Sequence, residues 1–128
     1  MDKNLVQVTP FNLLSSGERG ATYDFALCRQ QQEFIYLTRK KGSLSGNTYH
    51  EGLSQATQPK IFLLLQGTIL LSYRKIETTT AYSQNIEAPA QIEIQPFVTH
   101  NVEAITDILM MECNAIADIE QDRRFEEV

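Results

Sequence analysis

Apolar residues along this chain come in short runs that alternate with polar ones far more often than they recur at helical spacing, the signature of strands. Leu5-Val6-Gln7-Val8 opens the series. After the polar turn Ser15-Ser16-Gly17-Glu18-Arg19-Gly20, the stretches Ala21 to Leu27 and Glu33 to Thr38 are rich in aromatic and β-branched residues and predict strands. The Gly- and Ser-bearing stretch Lys41 to Asn47 predicts a break after them. Ile61-Phe62-Leu63-Leu64-Leu65, behind Pro59, and Thr68-Ile69-Leu70-Leu71-Ser72-Tyr73 flank a Gln66-Gly67 turn, the pattern of a tight hairpin. Both runs are apolar on consecutive residues. That predicts strands covered on both faces, one by a second sheet and the other by a partner subunit or the chain's own tail. Ile76 to Tyr82, with Thr78-Thr79-Thr80, predicts an edge-like strand, and Pro89 ends a loop. Gln91-Ile92-Glu93-Ile94-Gln95 alternates cleanly until Pro96; His100 to Ala104 follows, then the turn Thr106-Asp107 and the strand Ile108 to Cys113.

Together these make eight to ten short strands, with turn signals at the roughly 8–12-residue spacing of an all-β sandwich or barrel. The barrel covers about residues 5–114. The segment 115–128 is acidic, with Ile116, Ile119 and Phe125 as its apolar points, and predicts a short surface helix or an extended strap. The 128 residues show no internal repeat, linker or low-complexity tract and have the length of one domain. A domain near this size buries roughly two-thirds of its unfolded-chain surface, so it needs no disulfide or metal staple to fold.

Charge removes several classes of partner. Eleven basic against sixteen acidic residues leave a net charge of -5. The basic clusters Arg39-Lys40-Lys41, Arg74-Lys75 and Arg123-Arg124 are short and separate, so nucleic acid is not an expected partner. The longest apolar run, Ile61 to Leu65, is far short of the roughly 20 residues of a membrane helix. The polar start Met1-Asp2-Lys3-Asn4 carries no signal-peptide core. A cytoplasmic protein with no membrane partner is expected. Cys28 and Cys113 lack CxxC spacing and behave as reduced, small apolar residues.

Two blocks stand out on either side of the Gly67 hairpin: Gly46-Asn47-Thr48-Tyr49-His50 and Pro96-Phe97-Val98-Thr99-His100. Together they resemble the motifs of the cupins. The first motif there is a glycine, a His-x-His pair, and a Glu or Gln six residues ahead of a second glycine; the second is a proline a few residues before a histidine. Here six residues separate Lys60 from Gly67, and His100 lies four after Pro96. The resemblance implies a double-stranded β-helix, the jelly-roll barrel of RmlC-like cupins, with both motifs in the barrel mouth. Within that superfamily the chain is similar to the nucleotide-sugar 3,4-ketoisomerases and to the cupin domain of capsular-polysaccharide nucleotide-sugar epimerases. Glu18-Arg19-Gly20-Ala21 resembles a turn near the start of those proteins. Glu33 to His50 and Ile92 to Glu103 resemble their strand-and-histidine segments, and Ala117 to Phe125 their acidic tail.

The departures bear on chemistry. Thr48 stands in place of the first histidine, and Lys60 in place of the Glu or Gln when counted back from Gly67. Counted forward from His50, Gln55 takes that place, with a five-residue insertion between His50 and Lys60 that leaves a loop of altered length at the site's rim. Mapped onto Thr48, His50, Lys60 and His100, the ligand set of metal-binding members keeps two imidazoles and gains an ammonium that repels a divalent cation. No cofactor is expected; a divalent transition metal would need His50 and His100 with Glu51 or Gln55.

The branch it resembles implies metal-free proton shuttling beside a sugar ketone. That requires a base that becomes an acid and a donor for the enolate oxygen. His50 suits the first role and Lys60 the second, with Thr48, Tyr49 and His100 as further candidate donors. Tyr36 and Tyr73 are strand aromatics that could stack on a nucleotide base if they face inward. Gln55 is a further candidate for the substrate, and Arg39 for a diphosphate, Arg39 being otherwise a solvated charge like Lys40 and Lys41. The expected function is acid/base isomerisation or epimerisation of a keto-sugar in polysaccharide biosynthesis, with a nucleotide sugar as ligand and a homodimer as assembly. The alternatives are a non-catalytic carbohydrate or small-ligand binder and a metal-dependent cupin enzyme with a rearranged site.

Overall fold

The computed structural model describes residues 4–128, and strands form in it where β-branched and aromatic residues alternate with polar ones. Met1 to Lys3, part of the polar start noted above, lie outside the described residues. The elements in chain order are β1 (Val6–Pro10), β2 (Asn12–Gly17), β3 (Gly20–Asp24), β4 (Ile35–Arg39), β5 (Leu44–Tyr49) and β6 (Lys60–Gln66). They continue with β7 (Thr68–Lys75), β8 (Ala81–Glu87), β9 (Ala90–Ile94), β10 (Val98–Ala104), β11 (Ile108–Glu112), α1 (Ile116–Asp122) and the two-residue β12 (Arg124–Phe125). Two five-stranded antiparallel sheets, ordered β1-β9-β6-β11-β4 and β12-β5-β10-β7-β8, face each other; β2 and β3 form a separate hairpin. This is the expected all-β jelly roll, with the tail supplying both a helix and a strap.

The main core lies between the sheets, built from the inward residues Phe62 and Leu64 of β6, Ile69, Leu71 and Tyr73 of β7, and Ile92 and Ile94 of β9. On β6 the consecutive apolar run is covered on both faces, as predicted. What covers the second face differs from the expected partner subunit or tail: Ile61 and Leu63 point outward and pack with Cys113 and Met111 against Phe11 and Leu27 of the chain's own N-terminal third. On β7 the second face is only half-buried. The tail crosses this sheet's outer surface: Arg74 reaches Glu126 (2.8 Å) and the Glu127 carbonyl (2.6 Å), and Thr99 donates to the Glu126 carbonyl.

Two expectations are corrected. Lys41 to Asn47 is not a break throughout, because β5 begins at Leu44. The edge strand after Ile76 is shifted: Thr78 to Thr80 lie in a loop and β8 starts at Ala81, pairing with β7 as the sheet's last strand. The described strands number twelve rather than eight to ten, since β2, β8 and β12 carry too few apolar residues to stand out.

Candidate active site

A cavity of about 310 Å³ opens between the sheets on the side where β4 and β11 face β5. Its polar lining comes from the end of β4, β5 and the residues flanking it, the start of β6, the middle of β10, the end of β11 and the segment after α1. A bulge in β5 aims its residues. Thr48 pairs with His100 and Gly46 with Asn101, leaving Asn47 as an extra residue at φ 57. Ser43 and Ser45 face the cavity before the bulge, and Thr48 and His50 after it. One inserted residue flips the strand's alternation, which is what a bulge does. Gly46 is required there: at φ +109 its backbone lies so close to β10 that a Cβ would sit 2.7 Å from the His100 carbonyl oxygen.

His50 and His100 stack at 6.0 Å between ring centroids, and both are buried. The Nδ1 of His100 lies 3.1 Å from the Val98 carbonyl, which can only accept, so the proton sits on Nδ1 and Nε2 presents its lone pair. Burial, then the charge of Lys60 and the neighbouring His100, lower the pKa of His50 to about 3. Burial lowers His100 to about 4, against the opposing hydrogen bond to Val98. Both imidazoles are neutral at pH 7.

Lys60, the first residue of β6, supplies the charge. Its Nζ is 2.5 Å from Glu112 Oε1 and 2.5 Å from Asn114 Oδ1, and 5.2 Å from the Phe62 ring centre. Burial pulls its pKa down, and Glu112 partly restores it. Arg29 fixes this end of the barrel by donating to the carbonyls of Pro59 (2.6 Å), Ala56 (3.0 Å) and Cys113 (3.0 Å). The loop after His50 is clamped by Asp122, at the end of α1. Its carboxylate accepts from the N–H groups of Glu51 (2.7 Å), Gly52 (3.0 Å) and Leu53 (2.8 Å) and from the Thr57 hydroxyl (2.5 Å). Burial pushes the Asp122 pKa up, but these hydrogen bonds outweigh it and hold the group ionised.

Of the residues singled out in the sequence, Thr48, His50, Lys60, His100 and Arg39 line the cavity. The others lie elsewhere. Tyr36 is exposed on the face of β4 opposite Leu37 and Arg39. Tyr73 is a core residue stacked on Tyr82 at 5.7 Å. Tyr49 packs beside Phe97, and Gln55 sits in an exposed turn of the loop, which folds back on α1 instead of rimming the cavity. Glu51 faces Arg124 at 3.4 Å. Glu112 was missed although the signal was present: Ile108, Met110 and Glu112 share one face of β11 by strand alternation. Ser43, Arg123 and Phe125 also line the cavity and were passed over as loop or tail residues. The buried Ser43 hydroxyl has no hydrogen-bond partner among the described residues.

The donor set does not fit a divalent metal. The four motif positions hold a hydroxyl, two imidazoles and an ammonium already engaged by Glu112. Among the described residues, no group of three or more His, Cys, Asp or Glu side chains is placed to hold a metal ion. No described helix is long and apolar enough to cross a membrane.

The two-sheet jelly roll, with paired histidines facing its cavity, shares its fold with solved RmlC-like proteins. The sugar 3,4-ketoisomerase QdtA from Thermoanaerobacterium thermosaccharolyticum, in complex with TDP-4-keto-6-deoxyglucose, superposes with a TM-score of 0.72 at 15% identity, covering 93% of this chain and 86% of that one. The dTDP-6-deoxy-D-glucose-3,5-epimerase RmlC from Legionella pneumophila gives 0.65 at 14%, covering 92% and 70%. The capsular polysaccharide assembling protein CapF from Staphylococcus aureus gives 0.61 at 20%, covering 93% of this chain but 35% of that one. No family model and no curated protein matches the sequence.

Proposed function

We propose that this protein is a cytoplasmic, metal-free isomerase or epimerase of a keto-sugar carried on a nucleotide, in polysaccharide biosynthesis. The observation that carries the reading is a neutral, buried imidazole, His50, beside a buried ammonium, Lys60, in one cavity. His50 takes the proton from the carbon next to the ketone, Lys60 donates to the enolate oxygen, and His50 returns the proton to the intermediate. At a pKa of about 3 the imidazole holds a proton poorly. The enolate is an anion formed beside it; it opposes Lys60 and raises His50 toward the range in which it can carry the proton. The nucleotide sugars bound by the ketoisomerase and epimerase neighbours support this ligand class.

The test is incorporation of solvent deuterium into a thymidine or uridine diphospho-keto-sugar. Exchange lost in His50→Ala supports the proposal; no exchange with any such sugar sinks it. Thr48 in place of the first histidine favours a second reading, a non-catalytic binder. That reading predicts a raised melting temperature with a nucleotide sugar and no exchange.

The proposal includes a homodimer. Every residue of β2 and β3 is exposed, with Leu13 at 54% and Leu14 at 55%, and such apolar surface on a projecting hairpin calls for a partner surface. Sedimentation of Leu14→Glu as a monomer, against a dimeric parent, is the expected result; a parent that sediments as a monomer overturns it.

A further inference from the structure

The cavity is positive in a negative protein. Arg39, Lys60 and Arg123 line it against the single carboxylate Glu112, while the chain as a whole carries -5. The three cations are not equally committed. Lys60 is held by Glu112 and Asn114. Arg39 spends its Nε on the Ser45 hydroxyl at 3.2 Å and one terminal nitrogen on the Thr38 carbonyl at 2.8 Å. Arg123 donates no side-chain hydrogen bond and meets no carboxylate among the described residues; its guanidinium lies 5.1 Å from the ring centre of Phe125.

That stacking is an orienting device. A guanidinium laid against an aromatic face keeps its N–H edge free for a planar or tetrahedral anion. Phe125 is itself 73% exposed and lines the cavity beside the guanidinium. Position is set by two anchors around the pair. Asp122, the preceding residue, is locked to the loop after β5, and Arg124 and Phe125 pair with Tyr49 and Thr48. Arg123 is thus the uncommitted cation of the lining, held where its charge already lowers the pKa of His50.

We propose that Arg123, oriented by Phe125, forms an anion subsite at the mouth of the cavity that takes the diphosphate of the ligand. This rests on the nucleotide-sugar reading above and assigns its phosphate end to the C-terminal strap. The adjacent Arg124 is the built-in control: it carries the same charge but faces Glu51 outside the cavity.

The experiment is calorimetric titration of the full chain with inorganic pyrophosphate. Wild type binds, Arg123→Gln weakens binding at least tenfold, and Arg124→Gln stays within twofold. Phe125→Ala loses part of the affinity and Phe125→Tyr retains it. Equal loss in Arg123→Gln and Arg124→Gln overturns the subsite by reducing it to general charge; no binding by folded wild type, or no loss in Arg123→Gln, overturns it too. Deuterium exchange into the keto-sugar is measured alongside. Arg123-dependent pyrophosphate binding without exchange upholds the subsite and removes only the isomerase reading. Exchange with Arg123-independent binding does the reverse.

Discussion

Replacing Lys60 by methionine isolates the central electrostatic element of the cavity, because the methionine keeps the stem's packing and removes only the ammonium. The Lys60 and Glu112 side chains are 3% and 16% exposed, 2.5 Å apart. At an effective dielectric near 20, their attraction at that distance is on the order of 6 kcal/mol, most of it offset by the several kcal/mol needed to desolvate each ion. The net worth of the intact pair is therefore small. Breaking it is different, because Glu112 and the Asn114 carbonyl oxygen are left without their donor, at a cost of roughly 3–5 kcal/mol. With a urea m-value of about 1–3 kcal/mol/M, the unfolding midpoint falls by about 1–5 M at unchanged slope. The double variant Lys60→Met with Glu112→Leu removes both charges and recovers most of the loss, although Asn114 still lacks a partner. In parallel, histidine Cε1 proton shifts in the single variant report upward movement of the His50 and His100 pKa values, since Lys60 depresses both. A cost below about 1 kcal/mol for Lys60→Met, or additive losses in the double variant, would refute the coupling.

Three further outcomes follow from the geometry. His50 and His100 titrate near 3 and 4 when folded, against about 6.5 when unfolded, so the unfolded chain takes up protons first on acidification. Stability is therefore full above about pH 6.5 and falls by several kcal/mol toward pH 3–4, seen as a dropping denaturation midpoint that flattens in His50→Gln and His100→Gln. Asp122→Ala removes the acceptor of four hydrogen bonds and costs about 3 kcal/mol. Because the loop after His50 then loses its clamp, hydrogen exchange at residues 51–53 accelerates; unchanged protection there would contradict the clamp. Gly46→Ala places a Cβ against the His100 carbonyl in a left-handed backbone conformation and costs about 1–3 kcal/mol, with changed His100 ring shifts; a neutral result would show that the bulge relaxes freely.

How far the sequence carries depends on whether a residue's role follows from its own strand. β9 and β11 were legible because alternation and burial coincide, and the same alternation places Glu112 inward although a single carboxylate after two methionines attracts no attention. The histidines were legible through their motif spacing. The bulge was not: Gly46-Asn47 in a polar stretch has the composition of a loop, and only the pairing with β10 shows that it redirects Thr48 and His50 into the cavity. Asp122 and Arg123 were least legible, because within an acidic tail a clamp, a free cation and a solvated charge have the same composition. Their difference is created by where α1 docks. The same limit governs Lys60. As a motif substitution it read as damage to a metal site, yet β6 and β11 bring Glu112 and Asn114 to its ammonium and make it a satisfied internal cation. A positive charge paired with a carboxylate and flanked by two neutral imidazoles is a different electrostatic design from a metal centre, because the cation is part of the chain and its compensating charge, Glu112, comes from the neighbouring strand.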